Sequence, residues 1–544
     1  MRLFSATIVT MPTARRKGGN MAEPGIHQMP TCEDALAALN NGDRARCGEL
    51  AVAILAHDLD NGLAHTLRDA SLTDEWVALA AAHCAAACRN SPLNPQAWVH
   101  RAMFYERVDR HDKALDCSRR ALALDPLHID ALAVGTQNFR VNELFDEAIA
   151  LAERLRQIAP DHPSGYINAA IALQYLERYE EADAMFALAT EMVEDRGHLD
   201  WEHFHSLLAR QHFAEAWPKY ETRFKPSVNS GVTDFPFDCP RWSGAGSDHV
   251  LVYGEQGLGD QIMFASAIAD LQANCAQVTL AVHEILAGLF RASFPGVSVV
   301  TMPADSGVRE CADVLARAGA VRKVDSVLAI GSLMSRFRNR RDAFPGTPYL
   351  RPSEAARDFW RRRPDWAEGN KQVRGQRALR VGICWASNPS MGRFAGSMRA
   401  RHKTMALAEM LRLVDIDGVV PVAITNVPLT AFEGGDAVAG RVIDISADLL
   451  SLDRTAAVLE QLDLLVTVDT GVAHLAGAMG VPVWILLNRR GDYRWGEWGA
   501  QSSYWYDSAR LYWQDTLGDW TGLIDRVRQD LVRKVEDQRV GECA

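Results

Sequence analysis

Val466-Thr-Val-Asp-Thr-Gly-Val-Ala-His-Leu-Ala-Gly-Ala-Met-Gly-Val-Pro-Val-Trp-Ile-Leu486 is the stretch that decides the fold. It opens on the end of an apolar, partly β-branched run beginning near Asp463 and turns at Asp469 to Gly471. Small and apolar residues then follow at helical spacing, and the stretch closes through Gly480 and Pro482 into a second apolar run. Both runs are apolar at successive positions, which predicts parallel strands covered on both faces, with the helix as the crossover of a βαβ unit. In such sheets the ligand crevice lies beyond the carboxyl ends of the strands, where Asp469, Thr470 and Gly471 fall. The unpaired N–H groups that open the helix favour an anion there, and phosphate is the obvious guest.

Upstream the pattern changes. From about Thr31 to Arg223 the chain reads as helical and keeps one period: Ala80, Ala114, Ala148, Ala182 and Ala216 lie 34 residues apart. Pro92, Pro126 and Pro160 keep the same step, as do Trp98, Leu132 and Tyr166, and Tyr105, Phe139 and Leu173. A plain bundle has no reason to hold one period through four steps, whereas stacked helix pairs do. The spacing resembles the tetratricopeptide repeat, in which the small residue lets two helices approach, the large ones fill the space between repeats and the proline ends the second helix. Three well-formed repeats with a degenerate one on each side suffice for a continuous core. Asn94, His128, Asn138 and Asn168, on or near the first helices, are expected to reach a polypeptide in the concave groove.

The totals narrow the class. A chain of 544 residues exceeds one ordinary core, so about three domains are expected. Its composition, 48% hydrophobic and 23% charged, is that of a soluble globular protein. A formal net charge of -11 leaves no electrostatic footprint for nucleic acid and weighs against a permanent seat on an anionic membrane. No run approaches the ~18 apolar residues of a membrane helix, so no stable membrane insertion is expected. The ten cysteines lack zinc-type spacing, which favours a reducing, cytoplasmic setting; Cys84 and Cys88 share a helix face and are read as packing. Residues 1–30 carry Arg15, Arg16 and Lys17 without an apolar core behind them, and are read as a disordered extension in which Met21 is an alternative start.

Beyond the repeats, Lys225 to Asp248 collects Pro226, Pro236, Pro240, Gly231, Gly244 and Gly246 and reads as a linker. A short strand, His249 to Tyr253, runs into the turn Gly254-Glu-Gln-Gly-Leu-Gly-Asp260 and a helix to about Asn274. Strands at Val278 to Val282 and Val297 to Thr301 complete a first Rossmann-like half. The basic run Arg336 to Arg341 is read as a solvated face. A hinge is placed within Tyr349 to Arg377, and a new strand, Leu379 to Trp385, opens the second half. The loop that follows, Ala386 to Lys403, holds Asn388-Pro389 and the cations Arg393, Arg399, Arg401 and Lys403. Asp415-Ile-Asp417 has the form of a metal-binding pair, but it lies at the end of the sheet away from the crevice and is read as a turn; no metal is expected. The domains are thus drawn at 1–30 (extension), 31–224 (repeats), 225–248 (linker), 249–377 (first half) and 378–544 (second half).

Gly257-Leu-Gly-Asp260, Asn388-Pro389 with cations behind it, and Asp469-Thr-Gly with His474-Leu-Ala resemble, in order and spacing, the glycosyltransferase family that contains the bacterial heptosyltransferases. The ending around Arg494-Trp495 resembles a subgroup in which tetratricopeptide repeats precede such a domain. The resemblance implies an α + α/β chain: a repeat solenoid followed by a GT-B pair of Rossmann-like domains. It implies metal-independent, inverting transfer of a sugar from a nucleoside diphosphate to an acceptor hydroxyl, the nucleotide sugar being a substrate and no cofactor being needed. Asp260 is the general base that the resemblance implies, with helix capping as its alternative role and Glu255 as a fallback carboxylate. Gly257 and Gly259 shape the turn. Asn388, Arg399, Arg401, Lys403, Asp469, Thr470, Gly471, His474 and Arg494 are the expected substrate contacts, His474 toward a phosphate or ribose oxygen.

Three acceptor readings stay open. Repeats ahead of a GT-B core resemble the O-linked N-acetylglucosamine transferases and point to a protein acceptor, whereas the core motifs resemble the heptosyltransferases and point to a carbohydrate. A non-catalytic adaptor with a silent transferase domain is the third. The loop Ser390 to Met398 and the pair Thr425-Asn426 depart from the family pattern, which leaves the phosphate-binding cation and the donor open.

Overall fold

The computed structural model describes Arg46, Cys47, Leu50 and residues 74–543, apart from 109, 226, 229–231, 233, 235–236, 245–248, 303–307, 320–322, 364–371, 374–375, 387–401, 439 and 491. The chain divides into two compact units, Met1–Ser206 with Thr222–Ser230, and Leu207–Glu221 with Gly231–Ala544.

The first unit is helical. Its helices run α1 (Asp74–Asn90), α2 (Pro95–Arg107), α3 (His111–Leu124), α4 (Ile129–Val141), α5 (Phe145–Ile158), α6 (Ser164–Tyr175) and α7 (Tyr179–Thr190), with α8 (Gly197–Ala209) reaching its boundary. The periodic alanines do what their spacing predicts: Ala114, Ala148 and Ala182 are wholly buried between paired helices. Trp98 and Tyr166, two periods apart, each donate a hydrogen bond to the carbonyl of the proline six residues upstream, Pro92 and Pro160, at 3.0 and 2.8 Å. Each ring thereby locks its helix to the turn that precedes it. Glu143 and Glu177, one period apart, take left-handed backbone at φ 68° and 60° in the turns within their repeats. The sulfur of Cys88 lies 3.4 Å from the Ala97 carbonyl, a helix-packing contact.

The four polar residues expected to face a peptide are engaged inside the unit. Asn94 caps α2 through the amide of Gln96, and His128 caps α4 through that of Ala131. Asn138 is wholly buried and donates to the Ser118 hydroxyl; Asn168 donates to Thr136 and accepts from Arg140, all at 3.0 Å. The period locates a helix face but not the depth of a residue on it, which is why these side chains read as groove residues.

The second unit begins earlier than the sequence boundary. Helix α9 (Phe213–Tyr220) carries Ala216, the last periodic alanine, yet belongs here. Trp217 is buried and donates to the Arg338 carbonyl at 2.7 Å. Part of the expected linker is also integral: Arg241 forms a parallel bridge with Val327, and Trp242 is buried.

Two parallel sheets follow. The first has the order β3 (Ser298–Met302), β2 (Gln277–His283), β1 (His249–Tyr253), β4 (Ser326–Ala329). The second has the order β12 (Ala509–Trp513), β11 (Val483–Leu487), β10 (Leu464–Val468), β7 (Leu379–Cys384), β8 (Val419–Ala423), β9 (Ile443–Asp444). A two-residue hairpin, β5 (Gln372–Val373) with β6 (Gln376–Arg377), precedes the second sheet. Every residue of β1, β7 and β10 is buried, as expected of strands covered on both faces. Strand order reverses between β1 and β4 in one sheet and between β7 and β10 in the other, so each half has its crevice at that point. The helices that open there are α10 (Leu258–Phe264), after β1, and α11 (Gly471–Met479), after β10. Among the described residues, no helix is long and apolar enough to cross a membrane.

The basic run Arg336 to Arg341 is not simply a solvated face. Arg338 is 2% exposed, pairs with Asp270 at 2.8 Å and donates to the Ser266 carbonyl. Asp415 and Asp417 sit just before β8, at the amino end of its sheet, and pair with Arg441 and Arg539.

Candidate functional site

Helices α10 and α11 bring the two crevices together. A Cβ at Gly259 would lie 3.2 Å from the Gly471 Cα and 3.2 Å from the His474 ring, so the absent side chain lets the two backbones meet. Gly259 therefore serves contact between the halves. Gly257 is the N-cap of α10, and Asp260 is its third helical residue: the Oδ2 of Asp260 accepts the Gly257 N–H at 3.1 Å. The capping role and the site role coexist, because the other oxygen points across the cleft.

That oxygen, Oδ1, accepts from Nε and Nη2 of Arg494 at 2.9 and 2.5 Å. Arg494 also donates from Nη1 to the Oδ1 of Asp492 at 2.6 Å. The second oxygen of Asp492 accepts from Lys403 at 3.1 Å, and Lys403 reaches the Oδ2 of Asp469 at 2.5 Å. Trp495, wholly buried, donates its indole N–H to the Oδ1 of Asp469 at 2.9 Å and fixes that carboxylate. The chain Asp260, Arg494, Asp492, Lys403, Asp469 thus joins the loops after β1, β7, β10 and β11. Burial works against the charge on Lys403 and Arg494, but the neighbouring carboxylates prevail and hold both above their ordinary ranges, so both are cations.

Thr470 occupies the N-cap of α11 without capping it; its hydroxyl bonds instead to that of Thr467 at 3.1 Å. Among the described residues no acceptor is recorded for the first amides of α11, at Gly471 and Val472. His474, one turn on, is 3% exposed, stacks on Trp495 with centroids 4.7 Å apart, and shares a hydrogen bond of 3.0 Å between Nδ1 and the Tyr506 hydroxyl. Burial pushes its pKa down to about 4, past the opposing pull of Asp469, so the ring is neutral. Gly477 makes room for this arrangement, since a Cβ there would sit 2.4 Å from the Tyr506 ring.

In the first half, Glu255 is buried and accepts the Gly331 N–H at 3.2 Å, tying the loop after β1 to the loop after β4. Gln256 takes left-handed backbone at φ 58°, and its amide donates to the Tyr220 hydroxyl of α9 at 2.6 Å. Glu255 is thus a strut of the turn.

Of the residues expected from the sequence, Asp260, Lys403, Asp469, Thr470, Gly471, His474 and Arg494, with Gly257 and Gly259, come together here. Asn388, Arg399 and Arg401 lie outside the described residues. Sequence reasoning missed Asp492 and Tyr506 as site residues and named Trp495 only as part of the ending that carries the resemblance. All three fall in a Trp- and Tyr-rich stretch, and that composition is the signal that marks Asp492 and Tyr506.

Comparison with known proteins adds to this geometry. Residues 446–505 match the family model described as glycosyltransferase family 9 (heptosyltransferase). The chain is 27% identical over 446 residues to Protein FlbA of Caulobacter vibrioides, covering 78% of this chain and 71% of that protein. Among solved structures it is similar to a glycosyl transferase family 9 protein from Veillonella parvula (14% identity, 55% of this chain and 100% of that one, TM-score 0.41). Its helical region is similar to YrrB, titled a TPR protein with an unusual peptide-binding site (18% identity, 30% and 85%, TM-score 0.22).

Proposed function

We propose that this chain, which carries a glycosyltransferase family 9 domain behind a tetratricopeptide-like repeat region, is a metal-independent GT-B transferase. In this reading it moves a sugar from a nucleoside diphosphate to a hydroxyl of a protein held by the repeats. The observation that carries the reading is the pairing of Asp260 with Arg494 beside the uncapped start of α11. A base for the acceptor and a cation for the leaving group stand side by side, each contributed by one half.

The reaction divides among these groups. The acceptor oxygen attacks the anomeric carbon from the face opposite the departing diphosphate, with inversion. The bond to the diphosphate oxygen breaks with its electron pair, and the acceptor proton passes to Asp260. The charge that develops on the diphosphate is met by the amides of Gly471 and Val472, by Lys403 and by Arg494. In the structure described here Arg494 is spent on Asp260 and Asp492. A diphosphate that draws the guanidinium onto itself frees the Oδ1 of Asp260, while its Oδ2 stays on the Gly257 amide. Each of the three carboxylates is engaged by Lys403 or Arg494, an arrangement that fits a mechanism without a divalent ion.

Nucleotide sugars are cytoplasmic metabolites, and the cysteine usage favours that compartment. Repeat arrays hold extended polypeptides, so a protein acceptor fits the first unit; Asn138 and Asn168 are buried, which leaves Asn94 and His128 of the four as residues within its reach.

The test is thermal denaturation of the full chain with ADP, GDP, CDP and UDP, with and without chelator, followed by transfer assays of Asp260→Asn. Stabilisation that survives chelator, with nucleotide binding kept and transfer lost in the variant, is the expected outcome. Full transfer by Asp260→Asn defeats the base assignment. A requirement for magnesium or manganese defeats the metal-free mechanism. Transfer to a free oligosaccharide at the same rate as to any protein favours the carbohydrate acceptor.

A further inference from the structure

Between the last helix, α12 (Thr521–Cys543), and the amino ends of the second sheet's strands lies a cavity of about 600 Å³. Leu379 opens β7, Asp463 precedes β10, and Trp484 and Arg510 are the second residues of β11 and β12; these form the strand wall. The helix wall is Asp530, Arg533, Lys534 and Asp537, whose spacing by three, four and seven residues puts them on one face of α12. The strands are parallel, so the cavity sits at the end of the sheet opposite the crevice. Five residues of strand separate the two, roughly 15 Å.

The strand wall is held in place. Trp484 and Arg510 are register partners on neighbouring strands. The Cζ of Arg510 lies 5.8 Å from the centre of the Trp484 ring and 4.7 Å from that of Tyr512, two residues further along the same face. Its Nη2 pairs with the Oδ2 of Asp530 at 2.5 Å, and the Tyr512 hydroxyl donates to the same oxygen at 2.8 Å. Arg533 pairs with the other oxygen, so Asp530, 9% exposed, is spent on its neighbours. Trp484 is half-buried beside them. The helix wall differs: among the described residues no partner is recorded for the side chains of Lys534 and Asp537.

The charges around the cavity cancel. Arg510, Arg533 and Lys534 stand against Asp463, Asp530 and Asp537, three of each sign. A phosphate or an ammonium ion is drawn by one set and opposed by the other, so the cavity has no net field to capture either. A neutral molecule with one apolar face and many hydroxyls meets no such opposition. Its apolar face buries on the indole, and its hydroxyls donate to Asp537 and accept from Lys534. A pyranose ring has this chemistry, and the cavity is of the size usual for small-molecule sites.

We propose that this cavity binds a neutral saccharide, stacked on Trp484 and hydrogen-bonded by Lys534 and Asp537. Lying at the far end of the sheet, it holds a sugar other than the one being transferred. The proposal goes beyond the transferase reading and does not depend on it.

Calorimetry of the full chain without nucleotide tests the site. The probes are the methyl glycosides of glucose, galactose, mannose, rhamnose and N-acetylglucosamine, with glucuronate and glucosamine as charged counterparts. At least one neutral glycoside should bind, and more tightly than either charged sugar. Asp537 is exposed and Lys534 half-buried, so Asp537→Asn and Lys534→Met leave the core intact. Each should weaken the binding roughly five- to ten-fold, the size of one hydrogen bond, and Trp484→Leu should remove it. Should Trp484→Leu fail to fold, the two helix variants decide. Failure of all five neutral glycosides to bind overturns the proposal, as does tighter binding of a charged sugar. Affinity that is indifferent to these substitutions places the sugar elsewhere and overturns it too.

Discussion

The contact between Asp260 and Arg494 can be tested as a coupled pair. Both bonds end on a single carboxylate oxygen, at 2.9 and 2.5 Å, and the side chains are 14% and 18% exposed, so the pair is shielded from water. Arg494→Met leaves the Oδ1 of Asp260 without its two donors and takes one cation from Asp492, which keeps the backbone amide at 494 and Lys403. Uncompensated buried charge of this kind costs about 3–5 kcal/mol. Asp260→Asn has one carbonyl oxygen where Asp260 uses two, so it keeps either the Gly257 amide or Arg494 as a donor and loses the other together with the charge assistance, about 1–3 kcal/mol. In the double variant the bare carboxylate at 260 is gone, so the total should fall short of the sum by about 2 kcal/mol. Hydrogen exchange of the α10 and α11 amides in the full chain measures the local opening energy directly, without assuming that the two units unfold together. Single costs that add to within about 0.5 kcal/mol would mean that the two side chains are energetically independent, and the bridge would then carry no weight in joining the halves.

The same charges set further expectations. Three carboxylates, Asp260, Asp469 and Asp492, face two cations in the described network, so Asp492→Asn should tighten nucleoside diphosphate binding by roughly three- to ten-fold; calorimetry showing weaker binding would contradict this. The folded pKa of His474, about 4, lies below its unfolded value, so the unfolded chain takes up the proton first. The second unit should therefore lose up to about 3 kcal/mol between roughly pH 6.5 and 4, a dependence that flattens in His474→Phe when its unfolding is followed against pH. The opposite sign applies to Glu106 in α2, whose carboxyl is raised by burial from 4.5 to about 7 and whose Oε1 is unpartnered. Stability tied to its neutral form is lost as pH rises from about 4.5 to 7, and Glu106→Gln should raise the melting temperature of the first unit at neutral pH but not at pH 4.

How much of this was legible in the sequence follows the physics of each feature. Parallel strands buried on both faces write themselves as unbroken apolar runs, so β7, β10 and β11 and the turn at Asp469 could be located directly. The repeat period is equally plain because each repeat packs against the next in the same way. The pairing of Asp260 with Arg494 is not legible, because 234 residues separate them and residue type does not tell which oxygen points across a cleft. Burial is also hidden: Asn138 and Asn168 look like groove donors until their depth is known, and His474 looks titratable until it is seen packed against Trp495. The left-handed turns at Glu143 and Glu177 keep the period but are masked by their side chains, since glutamate does not announce positive φ.

Helix α9 bears on how such a chain can be cut or recombined. It looks like the last piece of the array, yet Trp217 docks on the Arg338 carbonyl and Tyr220 holds Gln256 in the turn that ends at Asp260. A truncation starting at residue 225 would discard both and leave the turn without its brace, so an inactive fragment would say nothing about acceptor recognition; one starting at 207 keeps the second unit whole. A chimaera that exchanges the repeats needs its junction ahead of that helix, near residue 207, for the same reason.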